Sequence, residues 1–125
     1  MYLDNAATTP VRREALEAMW PFLTAEFGNP SSHHEVGERA ATALAAARAS
    51  VARVVGMRAS DVLFTSGGTE ADHLALKGIG VAAMLQHGKR HLITTPIEHE
   101  AVLESADYLA RVHGFEVTLL PVDTF

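Results

Sequence analysis

Apolar residues recur along this chain in two periods, and the alternation of the two sets the expected architecture. Ala15, Leu16, Met19, Phe22 and Leu23 stand at helical spacing behind Thr9 and Pro10, a helix start with proline at the first position. A second stripe, Val36, Ala40, Leu44, Ala47, Val51 and Val54, marks the buried face of a long helix. Ser32 and Glu35 are spaced as a capping box ahead of it, and Gly56 closes it. The intervening FGNPSSHHEVG, with its Gly, Asn-Pro and serines, reads as a structured loop.

Beyond Gly56 the runs shorten. Val62–Phe64 reads as a buried strand, followed by a helix from about Glu70 to Gln86. That helix is apolar on more than one side, through Leu74, Leu76, Ile79, Val81 and Leu85, which predicts deep burial. His91–Thr94 is a second short strand. Pro96 breaks the chain before a helix over His99–Val112 closed by Gly114, and Phe115–Pro121 is a last strand. Strand, helix, strand, helix, strand at this spacing predicts an α/β fold with a largely parallel sheet. We divide it as residues 1–58, an arm and helices, and residues 59–125, the start of an α/β domain.

In open sheets of this kind ligands sit beyond the carboxyl ends of the strands. Two loops fall there, Thr65–Thr69 and Thr95–His99. The first lies within FTSGGTEADHLALKG, where Gly67 and Gly68 let the backbone approach a ligand without a Cβ in the way. Unpaired N–H groups and the positive end of a helix dipole follow, so the turn suits a phosphate, with Ser66 and Thr69 as hydroxyl donors. A plain strand-to-helix connection capped by Thr69 is the alternative. Neither G-x-x-x-x-G-K-[ST] nor G-x-G-x-x-G is present, which points away from a nucleoside triphosphate. Opposite, His99 offers a flat imidazole able to stack on an aromatic ligand or move a proton. His99-Glu100 begins like a zinc-protease motif, but Leu103 stands where the second histidine belongs, and no metal site is expected.

Composition narrows the class. Of 125 residues, 48% are hydrophobic and 20% charged, as in soluble globular proteins. A formal net charge of −5 argues against a nucleic-acid surface. No run approaches the about 18 apolar residues of a membrane span, and MYLDNAATTP lacks the features of a signal peptide. A cytoplasmic setting is expected. The absence of cysteine removes disulfides and a thiolate nucleophile from these residues.

Four blocks carry a resemblance: YLDNAATTP, FGNPSSHHEVG, FTSGGTEADHLALKG and TTPIEHEAVL. Their order and spacing are similar to those of cysteine desulfurases, in the class V aminotransferase group of pyridoxal-phosphate enzymes. The resemblance implies the amino-terminal part of a fold type I transferase, with pyridoxal 5'-phosphate as cofactor. It implies that Gly68 and Thr69 hold the cofactor phosphate, and that His99 stacks on the pyridine ring and aids proton transfer. Asn5, Ala6 and Ala7 are implied to line the substrate pocket. The implied substrate is L-cysteine, converted to L-alanine, with sulfur passed as a persulfide toward iron–sulfur clusters or thiolated nucleosides. A homodimer and sulfur-acceptor or scaffold proteins are the implied partners. The visible blocks leave a selenocysteine lyase or another class V enzyme open.

The chain departs from the pattern at His73, where relatives usually carry asparagine, and at His33 in place of a hydrophobic residue. The family's Schiff-base lysine, pyridine-nitrogen aspartate and persulfide cysteine lie downstream of these blocks, and neither Lys77 nor Lys89 matches that lysine. A strand ending LLPVDTF presents an apolar edge that invites pairing. The expectation is therefore a piece of a longer enzyme, with a catalytically inert binding or dimer-forming module as the alternative.

Overall fold

A computed structural model describes residues 1–123 of the chain, which divides into two compact units, Met1–Leu63 and Phe64–Phe125. The first holds helices α1 (Arg13–Thr24) and α2 (Glu35–Val55) and a short 3-10 turn at Ala59–Asp61. The second holds α3 (Gly68–His87), strand β1 (His91–Thr94), α4 (Glu100–His113) and strand β2 (Glu116–Leu119). No helix among the described residues is long and apolar enough to cross a membrane.

In the first unit α1 begins at Arg13, later than the Thr9–Pro10 start. Arg12 is still extended at φ −66° and ψ 144° and caps nothing with its side chain. The arm before it is held in turns instead: the Ala7 N–H donates to Asp4 O at 3.1 Å, and the Tyr2 hydroxyl donates to Asp4 O at 2.7 Å. Pro21 cannot donate to the ladder, and α1 stops three residues later as Ala25 and Glu26 N–H both turn back to Pro21 O. Trp20, Phe22 and Leu23 remain exposed.

The entry to α2 corrects the capping box. Ser32 N–H donates to Asn29 O at 2.9 Å, so Ser32 is committed to the Asn29–Ser32 turn. The cap is His34, whose Nδ1 accepts from Gly37 N–H at 3.2 Å. The turn lies hard against the first turn of α2. A Cβ on Gly37 would collide with Ser32 O and stand 2.7 Å from Asn29 O. Gly37→Ala should therefore destabilise the protein by about 1–3 kcal/mol, the usual range for overpacking, and a thermal melt reads the shift. The expected buried stripe holds only in part. Val36, Ala40 and Leu44 are half-buried, but Ala47, Val51 and Val54 are exposed, because the short Ala59–Asp61 turn that packs on α2 leaves them uncovered. Its buried residue there is Ala52. Gly56 closes the helix at φ 69°, a left-handed position that favours glycine.

In the second unit β1 and β2 pair in parallel, His91 to Glu116 through Thr94 to Leu119, with α4 as the crossover. The ladder extends at both ends, where Glu116 N–H donates to Arg90 O and Leu120 N–H to Thr94 O, each at 2.8 Å. Ala101, Ser105 and Leu109, on one face of α4, are buried with Ala106 and Phe115. The Ser105 hydroxyl donates to Ala101 O at 2.7 Å, so its burial leaves no unmet group. Gly80 of α3 makes the close approach possible: a Cβ there would stand 3.2 Å from Leu109 Cδ1.

Two expectations fail here. Val62–Phe64 is not a strand; Val62 has extended dihedrals of φ −92° and ψ 121°, but no neighbouring strand bonds to it among the described residues. Helix α3 is not deeply buried either, since Leu74, Ile79 and Leu85 are exposed, while its Ala75–Gly80 side faces α4 and β1 across an apolar cavity.

Candidate functional site

The segment Thr65–Glu70 is built around its glycines. Gly67 is the N-cap of α3, in an extended conformation and without a side-chain cap, while Thr69 lies inside the helix and is not the cap. The Thr65 hydroxyl donates to Gly67 O at 3.1 Å. Glu70 Oε2 accepts from both the N–H and the hydroxyl of Ser66, each at 2.6 Å. The Ser66 hydroxyl, expected as a ligand donor, is thus already committed. What remains for an anion is the first-turn N–H groups, which by helix geometry have no intrahelical acceptor, and the Thr69 hydroxyl. A Cβ built on Gly67 or Gly68 meets nothing within 4 Å. The space over the turn is open, and an anion such as a phosphate fits both that space and the donors around it.

The two Ser66 bonds, the hydroxyl first and the N–H second, hold the Glu70 carboxyl below the usual carboxylate range. A group more acidic in the folded state contributes stability that is fully present above its unfolded value and is lost as pH falls through the folded one. The Ser66 amide proton should therefore titrate at a lower pH than an unbonded glutamate would set, which an NMR pH titration reads.

His99 is the N-cap of α4, and its Nδ1 accepts from Ala101 N–H at 3.1 Å. A backbone N–H can only donate, so Nδ1 carries the lone pair and the neutral ring has its proton on Nε2. The side chain is exposed. One residue earlier, Glu98 Oε1 accepts from the Thr95 hydroxyl at 3.2 Å, which ties the loop before the helix.

A groove of about 440 Å³ runs between the two helices. Thr69, His73 and Lys77 line it from α3, and Glu100, Ala101, Glu104, Tyr108 and Arg111 line it from α4. Lys77 Nζ stands 4.7 Å from the centre of the Tyr108 ring. Thr69 in the first turn of α3 and Glu100 and Ala101 in the first turn of α4 line the same groove, which brings the amino-terminal ends of the two helices to one site. Two positive dipole ends at one place favour an anion more than either alone. Gly68, Thr69 and His99 fall at this site. Asn5, Ala6 and Ala7 form an exposed turn in the first unit.

The sequence reading missed two features. Glu70 was legible as a first-turn acid but not as the partner of Ser66; its spacing three residues past the N-cap was the available signal. The Lys77–Tyr108 pair joins two helices and left no local trace. His73, the departure noted in the sequence, lines the groove one turn beyond Thr69 and is half-buried.

Comparison with known proteins gives a consistent answer. Residues 1–125 match the family model described as aminotransferase class-V. The cysteine desulfurase IscS of Dictyoglomus turgidum is 49% identical over 123 residues, covering 98% of this chain and 30% of the relative. Among solved structures, a NifS-like protein superposes with a TM-score of 0.84 at 44% identity, over 95% of this chain and 32% of that one. SspA in complex with cysteine superposes at 0.81 and 40% identity, over 92% and 32%. These neighbours bear out the α/β fold. The chain spans about 30% of the length of the curated relatives it matches.

Proposed function

The chain belongs to the class-V aminotransferase family, and on that footing we propose that it is the amino-terminal part of a pyridoxal 5'-phosphate-dependent cysteine desulfurase. The observation that carries the cofactor role is the meeting of the α3 and α4 starts at one groove, with open space over Gly67 and Gly68. Similarity to cysteine desulfurases along nearly all of the chain supports the substrate.

In this reading Gly68 and Thr69 hold the cofactor phosphate through first-turn N–H groups and the Thr69 hydroxyl, helped by both helix dipoles. His99 presents its ring face to the cofactor ring, and Nε2 gives or takes a proton while Nδ1 stays on Ala101 N–H. The cofactor, when bound, supplies the electron sink for charge developing on the amino acid. The overall change breaks the Cβ–S bond of L-cysteine, moves the sulfur onto an acceptor thiol as a persulfide, and leaves L-alanine. Lys77, turned to the Tyr108 ring, and Lys89, beside an apolar cavity, are not assigned the covalent role.

Asn5, Ala6 and Ala7 are assigned to the substrate on resemblance alone. The complete enzyme is proposed to be a cytoplasmic homodimer that hands sulfur to acceptor or scaffold proteins for iron–sulfur cluster or thionucleoside synthesis. The test uses the complete protein with pyridoxal 5'-phosphate, L-cysteine and a thiol reductant. L-alanine and sulfide should appear in equal amounts; no alanine above the protein-free control would overturn the proposal.

A further inference from the structure

We infer that Glu70 is a positioning residue, which braces the Ser66–Gly67–Gly68 turn in its phosphate-ready shape without itself touching the ligand. In a usual capping box the acid three residues into the helix accepts from the N-cap N–H. Here the acid reaches one residue further back, past Gly67, to the N–H and the hydroxyl of Ser66. The bonds close a ring around the two residues with the greatest backbone freedom in the segment, and leave the Gly67 and Gly68 N–H groups out of the brace. Gly67 has no side chain of its own to cap the helix, and besides the Glu70 brace the Thr65 hydroxyl bonds its carbonyl at 3.1 Å. Ordering two glycines is costly in entropy, and a turn ordered beforehand spares the ligand that cost.

The arrangement sets two effects of the same carboxylate against each other. As a brace Glu70 raises phosphate affinity; as a negative charge in the first turn it lowers it. Two donors at 2.6 Å fix the carboxylate on Ser66 and spread its charge into those bonds, and the brace wins. The inference rests on the phosphate reading of this turn, and the experiment separates the two.

Affinity for pyridoxal 5'-phosphate and for inorganic phosphate is measured on the complete protein and its Glu70→Ala and Glu70→Gln variants, with amide exchange of Gly67–Thr69 recorded without ligand. Glu70→Ala should weaken both ligands roughly five- to twentyfold and speed exchange at those amides. Glu70→Gln keeps a carbonyl that accepts from both Ser66 donors, so it should restore exchange protection and keep affinity within about threefold. Tighter binding by both variants would make Glu70 a competing anion and overturn the inference. So would unchanged exchange in Glu70→Ala. If the unsubstituted protein binds neither ligand, the phosphate reading falls, while the exchange rates still decide whether Glu70 braces the turn.

Discussion

Replacing His99 with alanine should lower the turnover of the complete enzyme roughly 10²–10⁴-fold, the range lost when a positioned proton-transfer group is removed. The side chain has two separable duties, and the choice of substitution tells them apart. Its Nδ1 caps α4 by accepting from Ala101 N–H, and loss of such a cap costs about 1 kcal/mol. Its Nε2 and ring face are free of that task. His99→Asn keeps a good cap but has neither the imidazole proton nor the ring. It should melt near the parent temperature and still lose turnover on the same scale as His99→Ala. If His99→Asn restored turnover, the histidine would be a cap alone, and its assignment to the cofactor would be wrong.

Gly67→Val should leave the fold intact and abolish cofactor retention, weakening binding roughly 10²-fold or more. A Cβ on Gly67 meets nothing within 4 Å. Its φ of 172° is extended backbone open to any residue. Nothing in this unit therefore resists the side chain. The space it fills is the space proposed for the phosphate, and two N–H bonds to a charged group, at about 1.5–3 kcal/mol each, are at stake. Cofactor retained after dialysis, read by absorbance beside a thermal melt, checks both halves. Gly68→Ala, which adds one carbon at the first helical position, should have the smaller effect.

The parts of this fold that the sequence made legible are those set by local chemistry. His91–Thr94 is a strand as expected because it lies between a glycine stop and a proline, and Gly56, Gly88 and Gly114 end their helices in the left-handed region. The parts that were not legible depend on neighbours. Val62–Phe64 has strand composition and an extended backbone at Val62, yet a strand needs a ladder to a neighbour, and among the described residues the sheet is formed by β1 and β2. The apolar faces of α2 and α3 were expected to be covered, but periodicity says which face is apolar and not what lies against it. At α2 the capping-box spacing of Ser32 and Glu35 lost to the tighter Asn29–Ser32 turn, and His34 took the cap. For the site, Gly68, Thr69 and His99 could be named because each sits at a helix start after a turn signal. That Thr69 and the first turn of α4, next to His99, line one groove follows from how α3 and α4 pack, which a sequence does not state.

The most direct test is a crystal structure of the complete protein grown with pyridoxal 5'-phosphate. The phosphate is expected against the N–H groups of Gly68 and Thr69, and the pyridine ring against His99. A phosphate held elsewhere, with the start of α3 left open to solvent, would contradict this placement.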